Sequence, residues 1–337
     1  MGYTNQRVAY GNTLVELGRQ DDRIVVLDAD LGASSMGKLF EAEFPQRHFE
    51  MGIAEANMTS VAAGLAQTGK IPFTNSFAVF AGGRAYDQIR QIIAIGKLNV
   101  KICGSSSGLS DFGDGATHQC VEDLAVFRAV PNMTVICPAD ANETVEAVKA
   151  IAAMDGPCYL RLNRNDYPNV TKEGEKFTIG VPTVLKEGTD VALFATGYMV
   201  GLAMEAAKEL EGAVSVRVIN VSTIKPMDME AVRRMADGCR AVVTAEEHNV
   251  RGVLGSALAE APLRGAKTHE NGGYSGYLRV QRTQLPGSTG IPWADKVSHC
   301  RGGQGDGRHI GGRGQRTCVR PGTADVRAAK DGGYISG

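Results

Sequence analysis

Along the first half of the chain, short apolar and β-branched runs alternate with longer Ala-rich stretches whose apolar positions recur at helical spacing. That is the pattern of βαβ units and a parallel sheet. Residues 23–30 (RIVVLDAD), 99–105 (NVKICGS), 133–140 (MTVICPAD) and 157–163 (PCYLRLN) read as strands ending in polar or small residues. Between them, residues 52–69 (GIAEANMTSVAAGLAQTG), 82–96 (GGRAYDQIRQIIAIG) and 141–154 (ANETVEAVKAIAAM) read as helices. Open sheets of this kind gather ligands at the carboxyl ends of their strands. Asp28, Asp30, Ser105, Ser106, Ser107 and Asp140 are therefore expected where chemistry can occur.

A polar, turn-rich stretch then interrupts the alternation, which restarts with strands expected in residues 190–197, 214–228 and 239–249 and a helix in 252–261. We expect a first domain over residues 1–165, a linker over 166–181 and a smaller second α/β domain over 182–261. Beyond that point the pattern fails. Residues 261–337 hold 17 of the 42 glycines, ten Val, Leu or Ile, and no Phe or Met. They carry 12 Lys or Arg against 5 Asp or Glu, reversing the balance of the preceding chain. Such a composition buries too little apolar surface to offset ordering entropy, so residues 262–337 are expected to be an aberrant, disordered Gly/Arg-rich tail. The simultaneous change in glycine, charge and periodicity suggests a frameshifted remainder of the second domain; a genuine lineage-specific tail is the alternative. Either would leave the second domain short of an element.

Composition narrows the function classes. At 337 residues the chain accommodates two domains with cores of their own. A net charge of −1 gives no global attraction to nucleic acid or an anionic membrane. The seven cysteines are scattered, with no C-x-x-C pair, which suits reduced thiols in a cytoplasm. No apolar run approaches the length needed to cross a bilayer, and the N-terminus lacks the plan of a signal peptide.

Two stretches carry candidate chemistry. In HFEMGIAEANM (48–58), Glu55 sits among Ile53, Ala54, Ala56 and Met58, with no Lys or Arg within five residues on either side. In 107–143, the segment DGATHQ supplies flexible backbone, the carboxylate of Asp114 and the imidazole of His118, parts suited to orienting a polyol or phosphate and moving a proton near neutral pH. The bland reading is a surface loop in which Asp114 and Thr117 cap a helix beginning near Glu122. Gly113-Asp114-Gly115 with Asn142 imitates a Mg²⁺-diphosphate motif, but a polar loop precedes it and the match is judged coincidental, as is Gly305-Asp306-Gly307.

MGIAEANM, DGATHQ, FRAVPNMTVICPAD, LNRNDYP and VTAEEHNVRGVLGSALAE occur in an order and spacing that resembles the pyrimidine-binding and C-terminal domains of transketolase, as in the C-terminal subunit of a split transketolase. The resemblance covers residues 5–260. It implies an α/β fold: a thiamine-diphosphate-type pyrimidine-binding domain, with a parallel sheet and helices on both faces, plus a smaller transketolase C-terminal-like domain disrupted after residue 261. It also implies transfer of a two-carbon ketol unit from a ketose phosphate to an aldose phosphate, as in the pentose phosphate pathway. The β subunits of 2-oxo-acid dehydrogenases and deoxyxylulose-phosphate synthase are similar, and a non-catalytic partner subunit is a further alternative.

By this resemblance the acid matching Glu55 hydrogen-bonds N1′ of the cofactor's aminopyrimidine and favours the tautomer that removes the thiazolium proton. Apolar surroundings suit that task, because desolvation raises a carboxyl pKa. Phe77 and Phe80 match aromatics that sandwich the pyrimidine, and Asp30 matches a residue at the cofactor site. His118 is the second catalytic candidate and, with Asp114, matches groups at the reacting carbon and sugar hydroxyls. Arg164 matches the arginine on the substrate phosphate, with Arg161 as alternative. Ser106 stands where larger transketolases have a histidine, so it is expected at the phosphate end. Lys225, Glu246, Glu247 and His248 are expected to pack, cap or line an interface. No diphosphate-binding domain is present, so Mg²⁺ and the diphosphate are expected on a partner, the N-terminal transketolase subunit, in an α2β2 assembly whose core is a pair of these chains.

Overall fold

In the computed structural model, residues 5–260 are described, together with the backbone of strands at 267–268, 274–275 and 277–281. The first half of the chain supplies strands β1 (Ile24–Asp28), β2 (His48–Glu50), β3 (Ile71–Phe77), β4 (Lys101–Ser105), β5 (Thr134–Ile136) and β6 (Cys158–Arg161). The second half supplies β7 (Thr183–Lys186), β8 (Val191–Ala195), β9 (Val216–Asn220), β10 (Thr223–Lys225) and β11 (Ala241–Glu246). A seven-stranded sheet runs in the order β10-β5-β6-β4-β3-β1-β2, parallel throughout except for β10 against β5.

Alternation along the strands builds two cores. On β1, Val25 and Leu27 face one way, onto Met58 and Ala62 of helix Glu55–Gln67 and Phe127 of helix Asp123–Ala129. Ile24 and Val26 face the other way, onto Tyr10 and Leu14 of helix Gln6–Gln20 and Val148 and Ile151 of helix Ala141–Ala153. The sheet is thus covered on both faces, as fully buried parallel strands require. Caps set the helix starts: Asn5 Oδ1 accepts from Arg7 N at 3.0 Å, and Asp140 Oδ1 from Glu143 N at 3.0 Å.

The second sheet runs from strand 277–281 through β11, β8 and β9 to β7, and helix Met199–Glu209 covers Leu193, Ala195, Val218 and Val243. Strand Tyr277–Gln281 pairs parallel along β11, at the position where the sequence leads one to expect a missing element. The frameshift and disorder expected of residues 262–337 otherwise lie outside the described residues. No described helix is long and apolar enough to cross a membrane.

Three departures from the sequence-based elements matter. Strand β3, absent from them, lies in the middle of the first sheet and is buried at all seven positions. The helix expected over 82–96 starts earlier and is broken into Ala78–Arg84, Tyr86–Gln88 and a π-turn over Ile89–Ala94. The run 214–228 forms two strands that part company, β9 in the second sheet and β10 in the first.

A buried arginine links the halves. Arg161, at the end of β6, donates from Nε to Asp123 Oδ2 at 2.9 Å and from Nη2 to the Glu247 carbonyl at 3.0 Å, just past β11. Tyr159 Oη donates to the same Asp123 oxygen at 2.7 Å. The side chains of Arg161 and Asp123 are 4 % and 0 % exposed. As expected, Lys225 donates to the Arg128 and Val130 carbonyls at one helix end, and Glu246 accepts from Leu254 N and Gly255 N at another. Truncating Arg161 would strand Asp123 as a buried charge. Arg161→Ala is expected to destabilise the fold by about 3–5 kcal/mol in urea unfolding, and a loss below about 1 kcal/mol contradicts this role.

Candidate functional site

Strand register aligns the carboxyl edge of the first sheet: Asp28 lies beside Asn75, Phe77 beside Ser105, and Gly104 beside Arg161. Three non-glycine residues follow or approach this edge in the left-handed region, Asp30 (φ 57°), Met36 (φ 67°) and Ser106 (φ 50°). Each costs on the order of 1 kcal/mol and persists where surrounding structure over-determines it, a situation that clusters at functional sites.

Glu55 is the first residue of its helix, with a side chain only 4 % exposed. Its isolation along the sequence ends in space. Arg84, from the helix that follows β3, donates to Glu55 Oε1 at 2.8 Å and lies over the Phe80 ring at 4.0 Å. The expectation of an acid alone in apolar surroundings is corrected accordingly. Glu55 Oε2 takes no hydrogen bond among the described residues and remains available as an acceptor.

β3 passes directly into that helix, so Phe77 closes the strand while Phe80 lies one turn in. The two rings stack at 5.9 Å between centroids and 19° between planes. A third ring between them would need about 7 Å, two successive carbon contacts. In this arrangement the two rings stack on each other, and Arg84 lies over the outer face of Phe80. His118 meets both rings edge-on, at 6.1 Å from Phe77 and 5.2 Å from Phe80, and its Nδ1 lies 2.9 Å from Thr117 Oγ1. Glu55, Phe77, Phe80 and His118 are thus brought together.

Arg164 joins from the loop after β6. Its Nη1 donates to Asp111 Oδ2 at 2.8 Å, its backbone N–H to Ser110 Oγ, and its guanidinium lies 5.9 Å from the Phe77 ring. Arg7 stands close enough that Arg164's charge, after burial, lowers its pKa. Arg7 donates from Nη1 to the Ser34 carbonyl at 2.8 Å, while its buried Nε has no partner. Asp166 and Asp111 act on Arg7 in the opposite sense, so the two arginines sit in a cluster of opposed charges. Asn5 bonds the Arg164 carbonyl and Asp166, and Gln6 accepts from Asn163 N, tying the first helix to this loop. Neither Arg7 nor Asp111 was among the sequence candidates; only the burial of a helix-start arginine beside Arg164 reveals the first.

Other candidates fall differently. Asp114 is exposed, and neither it nor Thr117 caps the helix Asp123–Ala129, whose start has no side-chain cap. Asp30 is exposed, held by its backbone N–H to Glu50 Oε1 at 2.8 Å. Ser106 is wholly buried with Oγ unpartnered, a correction to its expected contact with substrate. Arg161 is corrected too: locked on Asp123, it has no free face for a phosphate. Asp140 accepts from Val170 N and Thr171 N besides capping its helix, and Asn142 binds Thr171 and Asn169, so both serve the fold.

Beneath the β1 end, Asp28 accepts from Ser35 Oγ at 2.8 Å and pairs with His48 Nε2 at 2.7 Å, both side chains at most 3 % exposed. A Cβ on Gly37 would lie 2.0 Å from Asp28 Oδ2, so only glycine lets this turn close over the pair.

Comparison with known proteins bears on these groups. Residues 4–170 match the family "Transketolase, pyrimidine binding domain" and residues 180–272 match "Transketolase, C-terminal domain". Over 255 residues the chain is 48% identical to the 6-deoxy-6-sulfo-D-fructose transketolase subunit SqwH of Clostridium sp. (strain MSTE9), covering 75% of this chain and 79% of that one. It is 37% identical over 257 residues to a subunit of the apulose-4-phosphate transketolase of Phocaeicola vulgatus, covering 75% and 82%. A solved structure described as "Split gene transketolase, inactive beta4 tetramer" is similar at TM-score 0.74 and 45% identity, covering 85% of this chain and 91% of that one.

The Asp28–His48 pair has a pH signature. Burial pushes the His48 imidazole down, but its hydrogen bond to Asp28 and the charges of Asp28, Glu41 and Glu50 outweigh that and leave its pKa raised. A raised folded value stabilises fully below the unfolded histidine value of about 6.5 and is lost as pH rises through the folded one. The melting temperature of the wild type relative to His48→Gln is expected to fall from about pH 6 to about pH 8, and a flat or rising difference contradicts the pair's role.

Proposed function

The chain belongs to the transketolase family, as a split-gene, thiamine-diphosphate-type subunit, and from that premise we propose that it moves a two-carbon ketol unit from a ketose phosphate to an aldose phosphate at a site completed by a second chain. The observation that carries this reading is the single patch at the sheet edge: a buried acid with one open oxygen, an aromatic face, an imidazole, and a pair of arginines. Residues 1–165 serve as the pyrimidine-binding domain and 182–261 as the second domain, joined by 166–181.

The donor set fits the pyrimidine end of thiamine diphosphate. Glu55 Oε2 would share a proton with the ring nitrogen, Phe80 offers a stacking face, and Arg84 on Oε1 fixes which carboxylate oxygen is presented. When bound, the cofactor supplies the nucleophilic carbon that carries the ketol unit. Around it, His118 moves a proton at the substrate hydroxyl, Asp114 orients hydroxyls from the loop, Asp30 borders the cofactor, and Phe77 keeps water from the inner wall. Arg164 and Arg7 hold the terminal phosphate with donors that stay charged. Mg²⁺ and the diphosphate fall to the partner, an N-terminal diphosphate-binding subunit, in an α2β2 assembly of the cytoplasm. A similar split-gene protein described as an inactive β4 tetramer supports this reading. The named sugars of the two relatives differ at the anionic end, a sulfonate in one and a phosphate in the other, so the choice of sugar turns at least in part on that end of the site.

Glu55→Gln in the reconstituted pair is expected to lower ketol transfer by at least about a hundredfold, read by coupled assay, with assembly unchanged by light scattering. Retained turnover refutes the assignment.

A further inference from the structure

Glu247 stands outside the patch, in the second half of the chain, yet it reaches the two loops that present Arg164. Its Oε1 accepts from Leu109 N at 3.2 Å, on the loop that leaves β4. Its Oε2 accepts from Asn163 Nδ2 at 3.4 Å, on the loop that leaves β6. The approach is close: at Gly108, where φ is +61°, a Cβ would meet the Glu247 carboxylate, so a larger residue there would displace it. The Glu247 backbone is fixed as well, through its carbonyl to Arg161 Nη2 at 3.0 Å, and the neighbouring Asn249 N donates to the Val121 carbonyl at 2.7 Å.

What these two loops carry is the anion end of the site. Leu109 leads into Ser110 and Asp111, and Asn163 precedes Arg164. Arg164 is in turn held by the Asp111 carboxylate and the Ser110 hydroxyl, while Asn165 Nδ2 donates to the Ser110 carbonyl. One carboxylate from the second domain therefore sets the spacing between the loop bearing Asp111 and the loop bearing Arg164. A side chain only 10 % exposed, with both oxygens spent on these loops, does no surface solvation.

We infer that Glu247 is a positioning residue: by clamping the loops after β4 and β6 it aims the Arg164 guanidinium at the bound anion, so that the second domain acts on substrate affinity without touching substrate. This rests on the proposed anion role of Arg164. Its consequence is that Glu247 and Arg164 form one unit, and removing both costs no more than removing Arg164.

The test titrates inorganic phosphate into the full chain at low ionic strength by calorimetry, with melting temperatures in parallel. Arg164→Ala and Glu247→Ala are each expected to weaken phosphate binding by about tenfold, and the double variant to be no weaker than Arg164→Ala alone. Glu247→Gln keeps the volume and one acceptor, and is expected to recover to within about threefold of wild type. If Glu247→Ala does not fold, the Gln variant carries the test through the same cycle with Arg164→Ala. A folded Glu247 variant that binds phosphate as wild type does, or additive losses in the double variant, overturns the inference. Unchanged binding by Arg164→Ala instead overturns the anion reading of the site itself.

Discussion

The contact on which the rest depends is the buried pair of Arg161 and Asp123. A guanidinium and a carboxylate withdrawn from water are costly unless each is fully answered. Here Arg161 is answered from both halves of the chain, by Asp123 and the Cys120 carbonyl on one side and the Glu247 carbonyl on the other. Because the donors of one arginine are shared between the two sheets, neither half can shift without breaking a charged hydrogen bond. The loops after β4 and β6 leave the sheet beside this pair, and they carry Asp111 and Arg164. A structural ion pair, with no open face of its own, thus steadies the loops that carry the half-buried Arg164 and its partner Asp111.

The patch at the sheet edge is built for something larger than itself. Glu55 presents one oxygen and Phe80 one face, and Arg84 occupies the other oxygen and that face in the chain alone. The arginine pair likewise leaves a donor unspent. Each of these groups is half of an interaction. The chain matches the pyrimidine-binding and C-terminal domains of transketolase, and on the proposed reading a second chain would complete these interactions.

Much of this was legible in the residue order. Strands β1, β4, β5 and β6 are short apolar runs flanked by polar ends, and they form where that pattern says they should. Strand β3 was hidden because IPFTNSF mixes Pro72, Thr74, Asn75 and Ser76 into a buried strand. Its polar cost is met in part by tertiary contacts such as Tyr10 Oη to Asn75 Oδ1 at 2.6 Å, which no local pattern encodes. The swap of β10 into the first sheet is likewise a matter of topology. At the site, Glu55 and His118 stood out by their motifs, whereas Arg84, Arg7 and Asp111 come from separate elements and became partners only on folding. Ser106 and Arg161 illustrate the reverse: plausible in sequence, they are buried in the fold, Arg161 against Asp123.

The central claim is that this chain holds only half of a cofactor site. Calorimetric titration of thiamine diphosphate with Mg²⁺ into the isolated chain, and into the chain mixed with its diphosphate-binding partner, tests it most directly. The account predicts no measurable binding by the chain alone and micromolar or tighter binding by the pair; tight binding by the isolated chain contradicts it.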